Sequence, residues 1–235
     1  MKIHPSFGTS SVATILLCLF FSGAALANPF KKSQEDLEVR ISENRLRFEQ
    51  RQLRRGESIP QQVLGEAKGI VIMHQVKAGL GIGAEFGNGV ASVKRADGTW
   101  GTPGFVSLSK GSYGLQIGAN EVVTIMVLMT DESLQLLKGG GSGNVGLSVE
   151  AVAGPHDAGG GIDSTRIQKP VLVYSDAQGA FIGAAFQAGA IVEAKKKNET
   201  AYGASLEQIL FSDRFRPTVA GAALIKVLNE ASGVQ

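Results

Sequence analysis

The sequence predicts an α+β domain, in which a strongly curved antiparallel β-sheet, barrel- or sandwich-like, sits between a long N-terminal helix and C-terminal helices. Three observations predict it. Residues 33–55 contain no glycine or proline and are rich in Glu, Gln, Arg and Leu, which favours a helix. Further on, apolar residues alternate with small or polar ones. The pattern G-x-x-I-G-A-x-F-x-x-G occurs at 79–89 and again at 179–189, with its first half at 114–119, and the period of two is that of a strand. Finally, Ala220, Leu224, Val227, Leu228 and Ala231 recur at helical spacing near the C-terminus.

Taken in order, the chain opens on an address. Lys2, the apolar run 12–21 and Ala25-Leu26-Ala27 read as a secretory signal peptide, too short to span a bilayer as a helix. The expectation is a 1–27 signal, an exported (periplasmic or secreted) mature chain from Asn28, and a peripheral place at a membrane. The only cysteine, Cys18, would leave with the signal, so neither disulfide nor thiol chemistry is expected. The rest reads as one structural unit, a helical segment 28–57 and a β-rich part 58–235. Formal net charge is +2, which gives no case for nucleic acid. Glycine, 31 of 235 residues, is about twice as frequent as usual, and it lies inside apolar alternation rather than polar tracts.

On the 33–55 helix, Leu37, Ile41 and Phe48 share one side, and Val39, Leu46 and Leu53 the opposite one. Arg40, Arg47, Arg51 and Arg54 fill one flank between the stripes; Glu38 and Glu49 lie on the other. A surface helix normally has a single apolar stripe, so this one has two things to pack against. The second is either another part of the fold or a dimer partner, or else a membrane or regulatory partner met with the arginine flank. A short helix follows around Pro60 and stops at Gly69. Residues 70–76 read as a strand buried on both faces, followed by the glycine stretch and an alternating run at 90–95. Asp97-Gly98 marks a hairpin turn into a return strand at 100–109. Gly111-Ser112 reads as another turn, 121–130 as a central strand, and 132–137 as a short helix. Strands are expected at 144–153 and 171–175, and helices at 205–211 and 217–231.

Enzyme chemistry finds little support. Gly79-x-Gly81-x-x-Ala84 is followed by β-alternation, not by the helix N-terminus that would hold a pyrophosphate. Neither a Walker loop nor a G-x-S-x-G elbow occurs. His74 reads as a core histidine, and His156, with Asp157 and Asp163 nearby, is the only candidate for a metal cluster. No catalytic residue, metal or cofactor is therefore expected. The basic residues are more suggestive. Lys77 enters the first glycine motif, Lys94 and Arg95 follow its strand, and Lys195 and Lys196 follow the corresponding strand of the later copy. On one rim they would meet anionic headgroups at about 1 kcal/mol each; the alternative is ordinary solvated surface. With Arg40, Arg47, Arg51 and Arg54 they form the expected lipid-binding set.

An ordered series of short motifs resembles the SYLF domain: Ile59-Pro60, Ala67-Lys68-Gly69-Ile70, Lys77-Ala78-Gly79, Gly98-Thr99-Trp100 with Pro103, Gly114-Leu115-Gln116-Ile117-Gly118, Ala153-Gly154-Pro155, Tyr174-Ser175 and Tyr202-Gly203. The resemblance covers about 35–230. It implies a non-enzymatic domain that binds phospholipid, with the N-terminal helix contributing; some fungal members also bind and bundle actin. The SH3 and FYVE modules of eukaryotic members are absent from this sequence. Around 139–150 the family's usual aspartate-containing stretch is replaced by Gly-Gly-Gly-Ser-Gly-Asn-Val-Gly. The expected partner is an anionic phospholipid or membrane surface. A homo-oligomer or other protein-interaction module is the alternative. Actin is not expected as a partner of an exported chain.

Overall fold

The computed structural model describes residues 29–138, 150–155, 167–176 and 191–234, and of these 29–32, 77–86 and 109–120 by backbone alone. Helix α1 (Pro29–Leu53) leads into α2 (Gln61–Glu66) and two strands of 25 residues each, β1 (Gly69–Val93) and β2 (Gly104–Leu128). A 3₁₀ turn (Ser133–Leu137), β3 (Ala151–Ala153), β4 (Val171–Ser175) and β5 (Ile191–Glu193) follow. Helices α3 (Lys195–Tyr202), α4 (Leu206–Phe211) and α5 (Val219–Ala231) close the chain. The α+β class, the long first helix and the C-terminal helices are as expected.

The sheet runs β1-β2-β4-β3, with β5 also pairing β2. It is open rather than closed into a barrel. β1 and β2 pair antiparallel from Gly69↔Leu128 to Ala91↔Gly104, with one register shift between Leu80 and Ile82. Two sequence expectations change here. The turn expected at Gly111-Ser112 is a continuous strand, because Ala84↔Gly111 and Gly83↔Ser112 carry the pairing straight through. The segments 70–76, 79–89 and 90–93 are likewise one strand. In addition, β3 and β4 pair parallel, whereas an antiparallel sheet was expected.

The ribbon bends back on itself. A Cβ at Gly89 would lie 2.3 Å from the carbonyl oxygen of Ile72. On a straight strand at ~3.3 Å per residue these positions would stand roughly 55 Å apart. Strong curvature is thus a property of β1, and glycine at 89 is what permits backbone to touch backbone. The later glycine copy at 179–189 lies outside the described residues.

Each face of the sheet has its own core. Ile70, Ile72, Val90, Phe105, Ile125, Val127, Leu172 and Tyr174 pack with α1, α2 and α5, through Leu37, Ile41, Phe48, Val63, Leu64, Leu224 and Leu228. Val71, Met73, Ala91, Val93, Val106, Met126, Leu128, Val171 and Val173 pack with Leu134, Leu137, Leu206 and Leu210 of the 3₁₀ turn and α4. Odd and even positions go to opposite layers, which is why 70–76 is apolar throughout. Polar ties fix the helical layer. Trp100 Nε1 donates to Ser232 Oγ at 2.8 Å, and Glu38 Oε2 accepts from Ala220 N at 2.7 Å, in the first turn of α5. A carboxylate there meets free N–H groups and the positive end of the helix dipole.

Candidate functional site

α1 presents its two apolar stripes to different surroundings. Leu37, Ile41 and Phe48 are buried, while Val39, Leu46 and Leu53 are 55%, 47% and 84% exposed. The arginine flank turns into the angle between α1 and the sheet and divides into two halves.

At the C-terminal half the arginines are neutralised from within. Arg51, 6% exposed, donates from Nη1 to Asp176 Oδ1 at 3.1 Å and stands 5.9 Å from the centre of the Tyr174 ring. Arg54 donates to both oxygens of Asp176, at 2.6 and 3.3 Å. Glu57 lies 3.6 Å from Arg51 and 3.5 Å from Arg54. Asp176 directly follows β4, so one carboxylate pins the end of α1 to the central sheet.

At the other half a cleft of about 60 Å³ opens between α1, β1 and α3. Arg40, Glu43, Asn44 and Arg47 line it from α1; His74 and Asn88, brought together by the fold-back of β1, line its floor, and Lys197 enters from α3. The Nζ of Lys197 donates to Asn88 Oδ1. Burial, and secondarily the nearby Arg40 charge, hold its pKa below the usual lysine value. The one carboxylate on the cleft wall among the described residues, Glu43, is 52% exposed and 3.6 Å from Arg47. Among the described residues Arg40 has no carboxylate within 4.0 Å. His74 is not the core histidine expected: its side chain is 24% exposed, with Nε2 3.3 Å from the carboxylate of Glu121.

The other basic residues singled out from the sequence are dispersed. Lys94 and Lys195 do follow strands ending at the same end of the sheet, since Ala91 pairs Gly104 and Glu193 pairs Val106. Their side chains do different things. Lys94 Nζ donates to the carbonyls of Leu64 and Gly65 at 2.7 Å each, over the Trp100 ring. It satisfies the C-terminal carbonyls of α2, and burial lowers its pKa. Arg95 Nε meets Asp213 at 3.0 Å. Lys195 lies 3.9 Å from Glu199 on an exposed helix turn, and Lys196 is exposed beside it. The side chain of Lys77 lies outside the described residues, as does the trio His156, Asp157 and Asp163.

Sequence reasoning missed Asn44 and Asp176, and it left Lys197, noted in the basic run with Lys195 and Lys196, out of the expected lipid-binding set. It also missed Asn198, fully buried, which brackets Phe105 by accepting from its N–H at 2.7 Å and donating to its carbonyl at 3.0 Å. That side chain fastens α3, and hence Lys197, to the start of β2. A polar KKKNETAY stretch gives no periodic sign of such a role.

Comparison with known proteins places this arrangement. Residues 109–231 match the family described as Ysc84, Las17-binding protein actin regulator. The chain belongs to the Ysc84 family. An SH3 domain-containing protein of Schizosaccharomyces pombe is 32% identical over 178 residues, 74% of this chain and 41% of that protein. LAS seventeen-binding protein 3 of Saccharomyces cerevisiae is 28% identical over 73% of this chain and 38% of its own length. The human SH3 domain-containing YSC84-like protein 1 is 27% identical over 69% of this chain and 48% of its own. The chain thus spans less than half the length of these relatives. No solved structure matches it. The match bears out the SYLF resemblance and corrects one expectation. Actin was set aside as a partner, yet the family description is of an actin regulator, and a relative is named for binding Las17.

Proposed function

We propose that this member of the Ysc84 family is a non-enzymatic binding domain, exported and working at a membrane surface that carries anionic lipid. The observation that carries this reading is the outward stripe of α1. Val39, Leu46 and Leu53 stand in line on a helix whose opposite stripe is fully docked, so the apolar surface is held in place by the body and directed away from it. Such a face suits shallow insertion at the boundary between headgroups and acyl chains. The exposed Lys195 and Lys196, on another element, would add headgroup attraction. No helix among the described residues is long and apolar enough to cross a membrane.

Co-sedimentation with vesicles tests the reading. The chain should pellet with phosphatidylcholine vesicles containing phosphatidylglycerol, less so at high salt, and the triple variant Val39→Ser, Leu46→Ser, Leu53→Ser should stay in the supernatant. Equal recovery of variant and parent would overturn it.

A second reading is favoured by the relatives' names: the same stripe docks on a protein of the actin-regulatory machinery. Co-sedimentation with filamentous actin, abolished by the same triple variant while vesicle recovery is unchanged, would select it.

A further inference from the structure

We propose that the cleft between α1, β1 and α3 binds a phosphate group. The cleft lies on the arginine flank of α1, between its docked and outward stripes, and the inference is argued from the cleft's own charges rather than from the outward stripe. Three cationic side chains from two elements, Arg40, Arg47 and Lys197, converge on it, and among the described residues only the half-exposed Glu43 opposes them from the wall. The local excess of two positive charges equals the charge of a phosphate dianion. His74, at the floor, offers a ring N–H when it lets go of the exposed Glu121.

The size fits as well. A single water needs about 10–15 Å³ on the measure by which this cleft holds about 60 Å³. A tetrahedral oxyanion therefore has room beside its donors. Arginine forks present paired N–H groups to phosphate oxygens, and a lysine adds a point charge. The unliganded cleft is electrostatically costly: Lys197 is held partly out of water beside Arg40. An anion would relieve that repulsion, whereas at the Asp176 end the fold already supplies the anion.

The support of the cleft is rigid. Arg40 and Arg47 ride on a helix whose far end is clamped by Asp176. Lys197 precedes Asn198, which is bonded to both backbone groups of Phe105. The donors are therefore held in position before any ligand arrives, which lowers the entropic cost of binding.

The test uses the whole chain and inorganic phosphate. Isothermal titration against phosphate, at ionic strength matched with chloride, should give one saturable site. Lys197→Gln and the pair Arg40→Gln, Arg47→Gln should each weaken it by about tenfold or more, the factor for one charge-assisted hydrogen bond. Lys226→Gln, which removes an exposed lysine paired with Glu230 on α5, should leave it unchanged. As a readout independent of affinity, the ring resonances of His74, assigned by His74→Gln, should move with phosphate and not with chloride. No saturable site, a His74 signal that ignores phosphate, or a site that survives both sets of substitutions would overturn the proposal. The source of the phosphate follows from a further arm. If free phosphate competes with vesicles containing phosphatidic acid, whose headgroup is a phosphate monoester, the cleft takes a headgroup; if vesicle recovery is indifferent to phosphate, it takes a soluble phosphate compound. The site stands in either case.

Discussion

The two halves of the arginine flank of α1 are chemically alike in sequence and different in the fold. Arg51 and Arg54 meet Asp176, and Arg51 is buried under that pairing. Arg40 and Arg47 meet another cation, Lys197, across a cleft. One half is a clamp, and the other is a surplus of positive charge that folding leaves uncompensated. A stretch of guanidinium groups on one helix face is thus not a single surface: its function depends on which carboxylates the rest of the chain brings to it.

That contrast can be broken from either side. The largest effect should come from Asp176→Asn, which leaves the buried Arg51 with only the half-exposed Glu57, 3.6 Å away, among the described carboxylates. Removing one partner of a buried pair costs about 3 kcal/mol, so thermal unfolding should begin roughly 6–12 °C earlier in a domain of this size. Next is Lys94→Met, which frees the two carbonyls that end α2. It should cost about 1–2 kcal/mol by chemical denaturation, although Lys94 stood among the expected lipid contacts. A vesicle-binding loss without that destabilisation would return it to them.

Alkaline pH gives a third test. Burial pushes the Tyr202 hydroxyl up to about 12. The unfolded chain ionises its tyrosines near 10, so above that pH the native state binds more protons than the unfolded one. The contribution is complete below about pH 10 and lost as pH rises to about 12. Denaturant midpoints should fall across that window, and less steeply in Tyr202→Phe. The smallest effect is expected at the open half: Arg40→Gln should change stability by about 0.5 kcal/mol or less in either direction, because among the described residues it has no carboxylate partner to lose.

Much of this was legible in the chain. That α1 carries two opposite apolar stripes, Leu37, Ile41 and Phe48 against Val39, Leu46 and Leu53, follows from helical spacing alone; that the first docks and the second faces outward does not. The period of two marked β1, β2 and β4, and glycine within the strands marked curvature. What was not legible depends on long-range pairing. Gly111-Ser112 has the chemistry of a turn, but its partners on β1 hold it extended. Asp176 stands 125 residues from Arg51, and nothing local connects them. His74 looked like a core residue because its neighbours are apolar. It lines a cleft because β1 bends until Gly89 touches Ile72. The polar run that became α3 carries one buried residue, Asn198, too few for any periodicity.

The most direct test of the divided flank is thermal unfolding of Arg51→Gln and Arg40→Gln side by side, in chloride and in phosphate at equal ionic strength. Arg51→Gln should unfold several degrees early in both salts and keep the rise in Tm that phosphate gives the parent chain. Arg40→Gln should unfold with the parent in chloride and lose most of that rise. If Arg51→Gln is as stable as the parent, or Arg40→Gln keeps the full phosphate effect, the two halves are not what distinguishes them here.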